Sequence, residues 1–384
     1  MIKVADLPNG ENVEVAEILV ENYKSIFEGV DPELPLLSIA ITGEMRTGKS
    51  FLLNLFLMYL EYIEQHEGSD EGWEESNQPI VGIDWAAGLK AVTQGIWMYN
   101  KPIIFTRKNK RKVAIVVIDI QGLGDSDNSD EAVDNLLMYV GLQMCNVQII
   151  NVNKKLNSFH FVKVASCATY SEMNDKVPSA FGTLLFLTRD FRLAEESLLG
   201  LQENYFSAMK SDAKHGSMVA TFDRINKCFS KVICFNFPRP SDKVDHHEAK
   251  AGTLSLCGDS IGEDFLKYCK ELFQYLLALP IKKEFNIDYS IKLFEGLKKR
   301  IAAHTDGLPN TEHVIVDVTI NNIFIAAKMH FEELMVEPLD FLKFDTEEAL
   351  WEILEKRCNS ALDLFEKKCA FGLAHSPKFV ATKK

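Results

Sequence analysis

The sequence lacks several features that would assign the chain to a class directly. Its 8 cysteines form no C-x-x-C pair, so the ligand spacing of a structural zinc site is absent, and cysteines within apolar runs are typical of reduced, intracellular proteins. No apolar run approaches the roughly 20 residues that cross a bilayer, and Asp6 and Pro8 interrupt Met1–Gly10 too early for a signal peptide. The chain as given is therefore expected to be soluble and cytoplasmic.

Positive charge is also scarce. The 384 residues carry a net charge of −13, which argues against a nucleic-acid partner because such proteins present a basic face. One basic run, Arg107–Lys112, lies between two strand-like segments and is interpreted as a solvated hairpin tip, with a lipid or partner site as the alternative. The length allows one large domain with a smaller piece, or two medium domains.

What the chain does contain is a glycine-rich loop between an apolar strand and an apolar helix. Residues 43–50 fit the pattern G-x-x-x-x-G-K-S, in which backbone N–H groups and a helix N-terminus surround an anion. The apolar run Leu36–Ile41 predicts the strand, and Phe51–Tyr62 predicts the helix. Lys49 would reach the terminal phosphates of a nucleotide, and the Ser50 hydroxyl would bind Mg²⁺. The predicted nucleotide-binding residues of this loop are Gly43, Glu44, Met45, Arg46, Thr47, Gly48, Lys49, Ser50 and Phe51.

The rest of the chain alternates apolar runs with segments of helical periodicity. The apolar runs predict strands at Lys112–Ile118, Thr183–Leu187 and Val232–Phe237, and the periodic segments predict helices at Asp130–Cys145, Ser197–Met209 and Thr221–Phe229. This alternation favours an α/β fold with a mostly parallel central sheet flanked by helices. The acidic segment Glu64–Asn77 is predicted to be a surface loop.

The pattern changes towards the C-terminus. Helical periodicity predicts one helix at Val314–Leu334 and a second that begins with a capping box at Asp345–Glu348 and runs to Phe371. We therefore predict a nucleotide-binding domain over residues 1–308. A small C-terminal segment, a linker helix and part of a helical bundle, would cover residues 309–384.

A second motif, Asp119–Gly122, follows the most apolar strand and fits D-x-x-G. An aspartate there can hold Mg²⁺ through water, and the Gly122 N–H can meet a γ-phosphate, with Gln121 beside them; an ordinary strand-end turn is the alternative. Thr93 lies between the loop helix and this strand, where a threonine can be a further Mg²⁺ ligand. The predicted metal ligands are therefore Ser50, Thr93 and Asp119.

Recognition of the base and the chemistry depend on two further arginine-containing motifs. Asp190, in Thr188-Arg189-Asp190, could accept two hydrogen bonds from guanine, whereas adenine offers no such donor pair. The N-K-x-D signature is not found, so a loop ion pair between Arg189 and Asp190 is the alternative. Leu123 occupies the position where small GTPases carry a water-orienting glutamine, so Arg46 is expected to supply a guanidinium in cis, unless it only faces solvent. The predicted catalytic residues are Arg46, Lys49, Thr93 and Gly122.

Taken in order, these motifs resemble one family. The R-containing phosphate loop, Thr93-x-Gly, Asp119-x-Gln-Gly and Thr-Arg-Asp are similar to the dynamin-related GTPases of the atlastin and guanylate-binding protein superfamily, over residues 10–370. Cys234–Pro240 and Leu308-Pro309 resemble the atlastin branch, which we favour. The resemblance implies Mg²⁺-dependent hydrolysis of GTP to GDP, a homodimer through the GTPase faces, and Pro238 on the guanine side.

In atlastins, the resemblance further implies, this cycle drives a helical middle domain that tethers and fuses endoplasmic reticulum membranes. Here the helical part is short, and Ile120 replaces the threonine usual after the switch aspartate. Membrane association is therefore expected only through regions outside this sequence, at the cytosolic face of the endoplasmic reticulum. The alternatives are a guanylate-binding-protein-like or nucleotide-gated dimerising module with weak hydrolysis and no fusion, and an ATP-dependent enzyme.

Overall fold

A computed structural model describes most of the chain. The described residues are 1–6, 17–85, 93–107, 109–123, 131–175, 181–191, 198–212, 216–246, 248–281, 285–301, 327–335 and 347–369. The chain divides into two compact units, Met1–Leu308 and Pro309–Lys384.

The larger unit is built on one sheet. Its strands are β1 (Ile2–Asp6), β2 (Glu17–Ile18), β3 (Leu36–Gly43), β4 (Ile96–Met98), β5 (Ile103–Thr106), β6 (Lys112–Ile120), β7 (Val147–Asn153), β8 (Phe181–Arg189), β9 (Gly200–Gln202) and β10 (Phe229–Asn236). They lie in the order β2-β1-β4-β6-β3-β7-β8-β10-β9, with β5 beside β6. The five central strands pair in parallel, in the spatial order β6-β3-β7-β8-β10. The outer strands are antiparallel. The predicted mostly parallel central sheet is therefore confirmed.

Helices cover both faces of this sheet. They are α1 (Val20–Ser25), α2 (Lys49–Gln65), α3 (Glu131–Met144), α4 (Ser158–Asp175), α5 (Tyr205–Asp212), α6 (Gly216–Cys228), α7 (Asp242–Asp245), α8 (Gly258–Ile261), α9 (Glu263–Ala278) and α10 (Ile287–Ile301). Alternate residues of β3 point to opposite faces: Ala40 joins the core with α3 and α4, whereas Ile39 and Ile41 join the core with α2 and α9. Because both faces are buried, the central strands are almost continuously apolar.

The largest differences between the predicted and the observed elements lie in two segments. The predicted helix Ser197–Met209 is wrong at its start, because Gly200–Gln202 is strand β9 and Gly200 has a φ of +75°, outside the helical region. The segment Glu64–Asn77 is not only a surface loop. Trp73 within it is fully buried, and its ring packs edge-on against Tyr59 with centroids 5.2 Å apart.

The parallel topology decides where a ligand can bind. The carboxyl ends of β3, β6, β7, β8 and β10 lie along the same edge of the sheet. Open parallel sheets bind their ligands at this edge, because the loops that follow the strands meet there. The edge carries the phosphate loop after β3, the D-x-x-G motif at the end of β6 and the Arg189-Asp190 pair at the end of β8.

The smaller unit contains α11 (327–335) and α12 (Glu347–Cys369). Within it, His330 Nε2 lies 3.3 Å from Ser360 Oγ. Most of the predicted helix Val314–Leu334 and the first residues of the capping box lie outside the described residues. Among the residues that the structure describes, no helix is both long enough and apolar enough to cross a membrane.

Candidate functional site

The phosphate loop depends on glycines at its two ends. Gly43 ends β3 with a φ of +139°, and a Cβ atom there would lie 2.0 Å from the carbonyl oxygen of Asn151 on β7. Gly48, at the N-terminus of α2, has a left-handed φ of +76°. A side chain at either position would be strained, at Gly43 also by a direct clash, so the tight curl requires glycine.

Lys49 lies inside this curl. Its side chain is buried, and its Nζ donates to the carbonyl oxygens of Gly43 at 3.2 Å and Glu44 at 2.7 Å. Burial lowers the pKa of Lys49 to about 8, against the opposing effect of the charges on Asp119 and Glu44. The loop therefore holds one ammonium group in its centre, where an anion would be bound.

The three predicted metal ligands meet at one point. Ser50 Oγ donates to Asp119 Oδ2 at 2.7 Å, Thr93 Oγ1 donates to the same oxygen at 3.1 Å, and the two hydroxyl oxygens are 3.3 Å apart. These groups come from the start of α2, the segment before β4 and the end of β6. Hydroxyl and carboxylate oxygens are the ligands that Mg²⁺ prefers.

Asp119 itself is fully buried. Burial raises the pKa of its carboxyl group, and the Ser50 hydrogen bond, the charge of Lys49 and the Thr93 hydrogen bond oppose that rise. Its second oxygen, Oδ1, has no hydrogen-bond partner among the described residues. A buried, incompletely paired carboxylate beside two hydroxyl groups fits a divalent cation.

The D-x-x-G segment is joined directly to the phosphate loop. Leu123 N–H donates to Gly43 O at 2.9 Å, and Met45 N–H donates to Leu123 O at 3.2 Å. A Cβ atom on Gly122 would lie 2.5 Å from Met45 Cγ and 3.2 Å from Lys49 Nζ. Gly122 is therefore placed beside the ammonium group, where a larger residue would collide with the loop.

The predicted nucleotide-binding residue Gln121 forms two hydrogen bonds with Gly95. Its side-chain Oε1 accepts the Gly95 N–H at 2.8 Å, and its own N–H donates to Gly95 O at 2.9 Å. Trp97, two residues further on, donates its indole N–H to Gln94 O at 2.6 Å. The side chain of Gln121 thus fastens the segment that carries Thr93.

Asn151 and His160, which belong to none of the motifs, contact the phosphate loop. Asn151 Nδ2 donates to the carbonyl oxygen and the hydroxyl of Thr47, at 2.8 and 2.6 Å. His160 Nε2 lies 3.1 Å from Glu44 Oε1. Arg46 lies between Glu44 and Thr47 in the sequence, is exposed, and has a left-handed φ of +60°. No sequence signal could have identified Asn151 and His160, because both contacts are long-range.

Arg189 is buried on the other side of the loop. One guanidinium nitrogen donates to Gly48 O at 3.4 Å, and the group lies 5.2 Å from the ring centroid of Phe265 and 5.7 Å from that of Phe237. Burial lowers the pKa of Arg189, with Asp190 among the charges that oppose the change. Arg189 therefore supports the phosphate loop.

Asp190 and Pro238 lie at neighbouring strand ends. Asp190 is half-buried with a left-handed φ of +52°, directly after β8. The Phe237 N–H donates to Thr188 O at 2.8 Å, and the Phe191 N–H donates to Phe237 O at 2.9 Å. These backbone bonds join the ends of β8 and β10, so the predicted base-binding residues lie at the same edge as the phosphate loop.

Comparisons with known proteins identify the family to which the chain belongs. Residues 17–284 match the family described as guanylate-binding protein, N-terminal domain. The chain is 27% identical to atlastin-2 of Macaca fascicularis over 255 residues, which are 64% of this chain and 43% of that protein. It is 25% identical to human atlastin-3 over 361 residues, which are 88% of this chain and 64% of that protein.

A third relative, atlastin-1 of Bos taurus, is 25% identical over 251 residues, covering 63% of this chain and 43% of that protein. The chain spans about half the length of the curated relatives it matches. The family match covers well over half of the chain, and the predicted superfamily is confirmed. The chain belongs to the family described as guanylate-binding protein, N-terminal domain, within the atlastin and guanylate-binding protein superfamily.

Proposed function

We propose that this chain binds GTP with Mg²⁺ and hydrolyses it to GDP and phosphate. One observation carries the proposal: the Ser50 and Thr93 hydroxyls converge on the buried carboxylate of Asp119, next to the Lys49 ammonium. In phosphate-loop GTPases the same residue types hold the ion and the terminal phosphates.

The roles of the individual residues follow from their positions. Lys49 and the backbone N–H groups of the loop would bind the β- and γ-phosphates, and the Gly122 N–H would meet the γ-phosphate. Ser50, Thr93 and Asp119 would hold Mg²⁺, Asp119 through water. The ion neutralises charge on the phosphate oxygens. Thr93 would bind the ion only while the γ-phosphate keeps its segment ordered, so this segment would respond to hydrolysis.

Arg46 is assigned the catalytic guanidinium. It lies at the exposed apex of the phosphate loop, and Leu123 leaves the site without the glutamine that orients water in small GTPases. A planar guanidinium can donate two hydrogen bonds to phosphate oxygens, so Arg46 would stabilise charge that develops in the transition state.

Asp190 is assigned to the guanine base. Its half-buried carboxylate follows β8, and Pro238 follows β10 at the neighbouring strand end. A carboxylate accepts hydrogen bonds from the ring N–H and the exocyclic amine of guanine. Arg189 would act one step away, by supporting the loop at Gly48.

By similarity to the family, hydrolysis would be completed in a homodimer formed through the GTPase faces. The test is the rate of phosphate release with Mg²⁺ and GTP, measured over a wide range of chain concentration. We expect the rate per chain to rise with concentration. Arg46→Ala should bind GTP with wild-type affinity yet release phosphate about a hundredfold more slowly, because a guanidinium finger contributes at least that much.

The same experiment distinguishes the alternative function. If light scattering shows GTP-dependent association while phosphate release stays at the uncatalysed rate, the chain is a nucleotide-gated dimerising module. In the cell, by similarity to atlastins, the cycle would act at the cytosolic face of the endoplasmic reticulum membrane, in tethering or fusion. Imaging of the tagged protein against a reticulum marker tests that placement.

A further inference from the structure

His160 is clamped at the start of α4. It is 8% exposed, and its Nδ1 accepts the backbone N–H of Asn157 at 3.2 Å. The Asn157 side chain in turn accepts the backbone N–H of Phe159 at 3.0 Å. This reciprocal arrangement is a capping box in which a histidine takes the place of glutamate. Because Nδ1 accepts a hydrogen bond, the neutral ring carries its proton on Nε2.

The remaining N–H of this fixed ring meets the phosphate loop. Nε2 lies 3.1 Å from Glu44 Oε1, and 49% of the Glu44 side chain is exposed. The carbonyl oxygen of Glu44 also accepts from Lys49 Nζ at 2.7 Å and from Thr47 Oγ1 at 2.8 Å. Glu44 therefore connects α4 with the central lysine of the loop.

A carboxylate in this loop creates an electrostatic conflict. It repels phosphate groups, and it attracts the guanidinium of Arg46, which is two residues away. Among the residues that the structure describes, none forms a hydrogen bond or an ion pair with the Arg46 guanidinium. About half of the Glu44 side chain is exposed, so its carboxylate has room to turn when His160 does not hold it. The direction of the Glu44 carboxylate therefore affects the electrostatic attraction that the Arg46 guanidinium experiences.

We propose that His160 is a positioning residue for hydrolysis. It holds the Glu44 carboxylate towards α4, away from the Arg46 guanidinium and from the substrate phosphates. The inference rests on the proposed function, because it requires Arg46 to act on the transition state. His160 acts through Glu44 and contacts neither GTP nor the ion.

The test is a double-mutant cycle with kcat and KM for GTP as readouts. His160→Ala should lower kcat by about fivefold to tenfold, with a smaller change in KM, because the released carboxylate competes for Arg46. In the Glu44→Ala background, His160→Ala should have no effect, since no carboxylate remains to be held. An equal loss in both backgrounds, or no loss in either, overturns the proposal.

A second background separates this proposal from the function it rests on. In Arg46→Ala, the His160→Ala change should cost nothing further. If Arg46→Ala alone turns over normally, the arginine assignment fails whatever His160 does. If Arg46→Ala is slow and His160→Ala slows it again by the wild-type factor, only the His160 proposal fails.

Folding is controlled in the same series. Thermal unfolding is measured for every variant, and His160→Leu, which retains most of the ring's volume, replaces His160→Ala if the latter does not fold. The matched control is His66→Ala, because His66 stacks on Tyr62 at the end of α2, with ring centroids 3.9 Å apart, away from the site. Its kcat is expected to equal that of the wild type.

Discussion

The two ends of the proposed nucleotide site are built differently. At the phosphate end, side chains form the contacts: two hydroxyls donate to Asp119, and the Lys49 ammonium donates to backbone carbonyls of its own loop. At the base end, backbone holds backbone: the ends of β8 and β10 are joined by peptide hydrogen bonds around Phe237. Asp190 stands on a left-handed turn beside them.

This comparison shows that the charged groups are concentrated at the phosphate end of the proposed site. The phosphate end buries an ammonium and a carboxylate, so its substitutions change the local charge balance and should act strongly on binding. The base end presents one half-buried carboxylate, on a residue with left-handed backbone. Substitutions there should change the choice of nucleotide more than the strength of binding.

The largest effect is expected for Lys49→Ala. Affinity for GTP should fall by about a hundredfold or more, because the buried ammonium group that contacts the carbonyl oxygens of Gly43 and Glu44 is lost. The ligand-free chain should keep its melting temperature or gain, since a buried charge is removed. Titration with a fluorescent GTP analogue and thermal unfolding measure both. Affinity within tenfold of wild type would contradict the assignment.

Asp119→Asn should act on the metal. The Mg²⁺ concentration that gives half-maximal turnover is expected to rise about tenfold to a hundredfold, the usual cost of losing a carboxylate that orients a metal site. The control is Asp70→Asn, because the Asp70 carboxylate accepts from Tyr59 at 2.8 Å and Gln274 at 2.7 Å, outside the site. An unchanged Mg²⁺ requirement in Asp119→Asn would exclude the predicted ion site.

Asp190→Asn should reduce selectivity. The preference for GTP over ATP in a competition assay is expected to fall by about tenfold, because an amide offers one acceptor oxygen and turns two donors towards a donor edge. The Mg²⁺ requirement should stay the same, which sets this variant apart from Asp119→Asn. If ATP displaces labelled GTP from the wild-type chain at similar concentration, Asp190 has no role in base recognition.

The smallest effect is expected for Arg239→Ala. Arg239 follows Pro238 and pairs with Asp245 at 2.9 Å on the surface. Exposed ion pairs contribute little, so affinity for GTP should change by less than about twofold. The same titration measures it, and a tenfold loss would extend the base end of the site to this arginine.

Local pattern predicts much of this architecture. The strands β3, β6, β8 and β10 are apolar runs because both faces of the sheet are covered. The phosphate loop is recognised from the spacing of its glycines, lysine and serine. Strand β7 is different, because Gln148 and Asn151 are buried within it. These polar residues interrupt the apolar run by which a central strand is recognised. Helix α9 was detectable, since Phe265, Cys269 and Leu272 recur at helical spacing.

The supports of the site could not be predicted in this way. Asn151 is separated from Thr47 by 104 positions, and His160 from Glu44 by 116. No local periodicity encodes such contacts, because they exist only once β7 lies beside β3. The aromatic surroundings of Arg189 are equally non-local, since Phe265 comes from α9 and Phe237 follows β10.

Trp97 gives the protein an optical reporter of its own. Its indole N–H donates to the carbonyl oxygen of Gln94, the residue after Thr93, and its backbone is paired with Asp119 across β4 and β6. Any displacement of the threonine after phosphate departure would disturb the indole environment and hence its emission. Stopped-flow fluorescence could therefore follow each turnover without an attached dye, and Trp97→Phe would identify the signal.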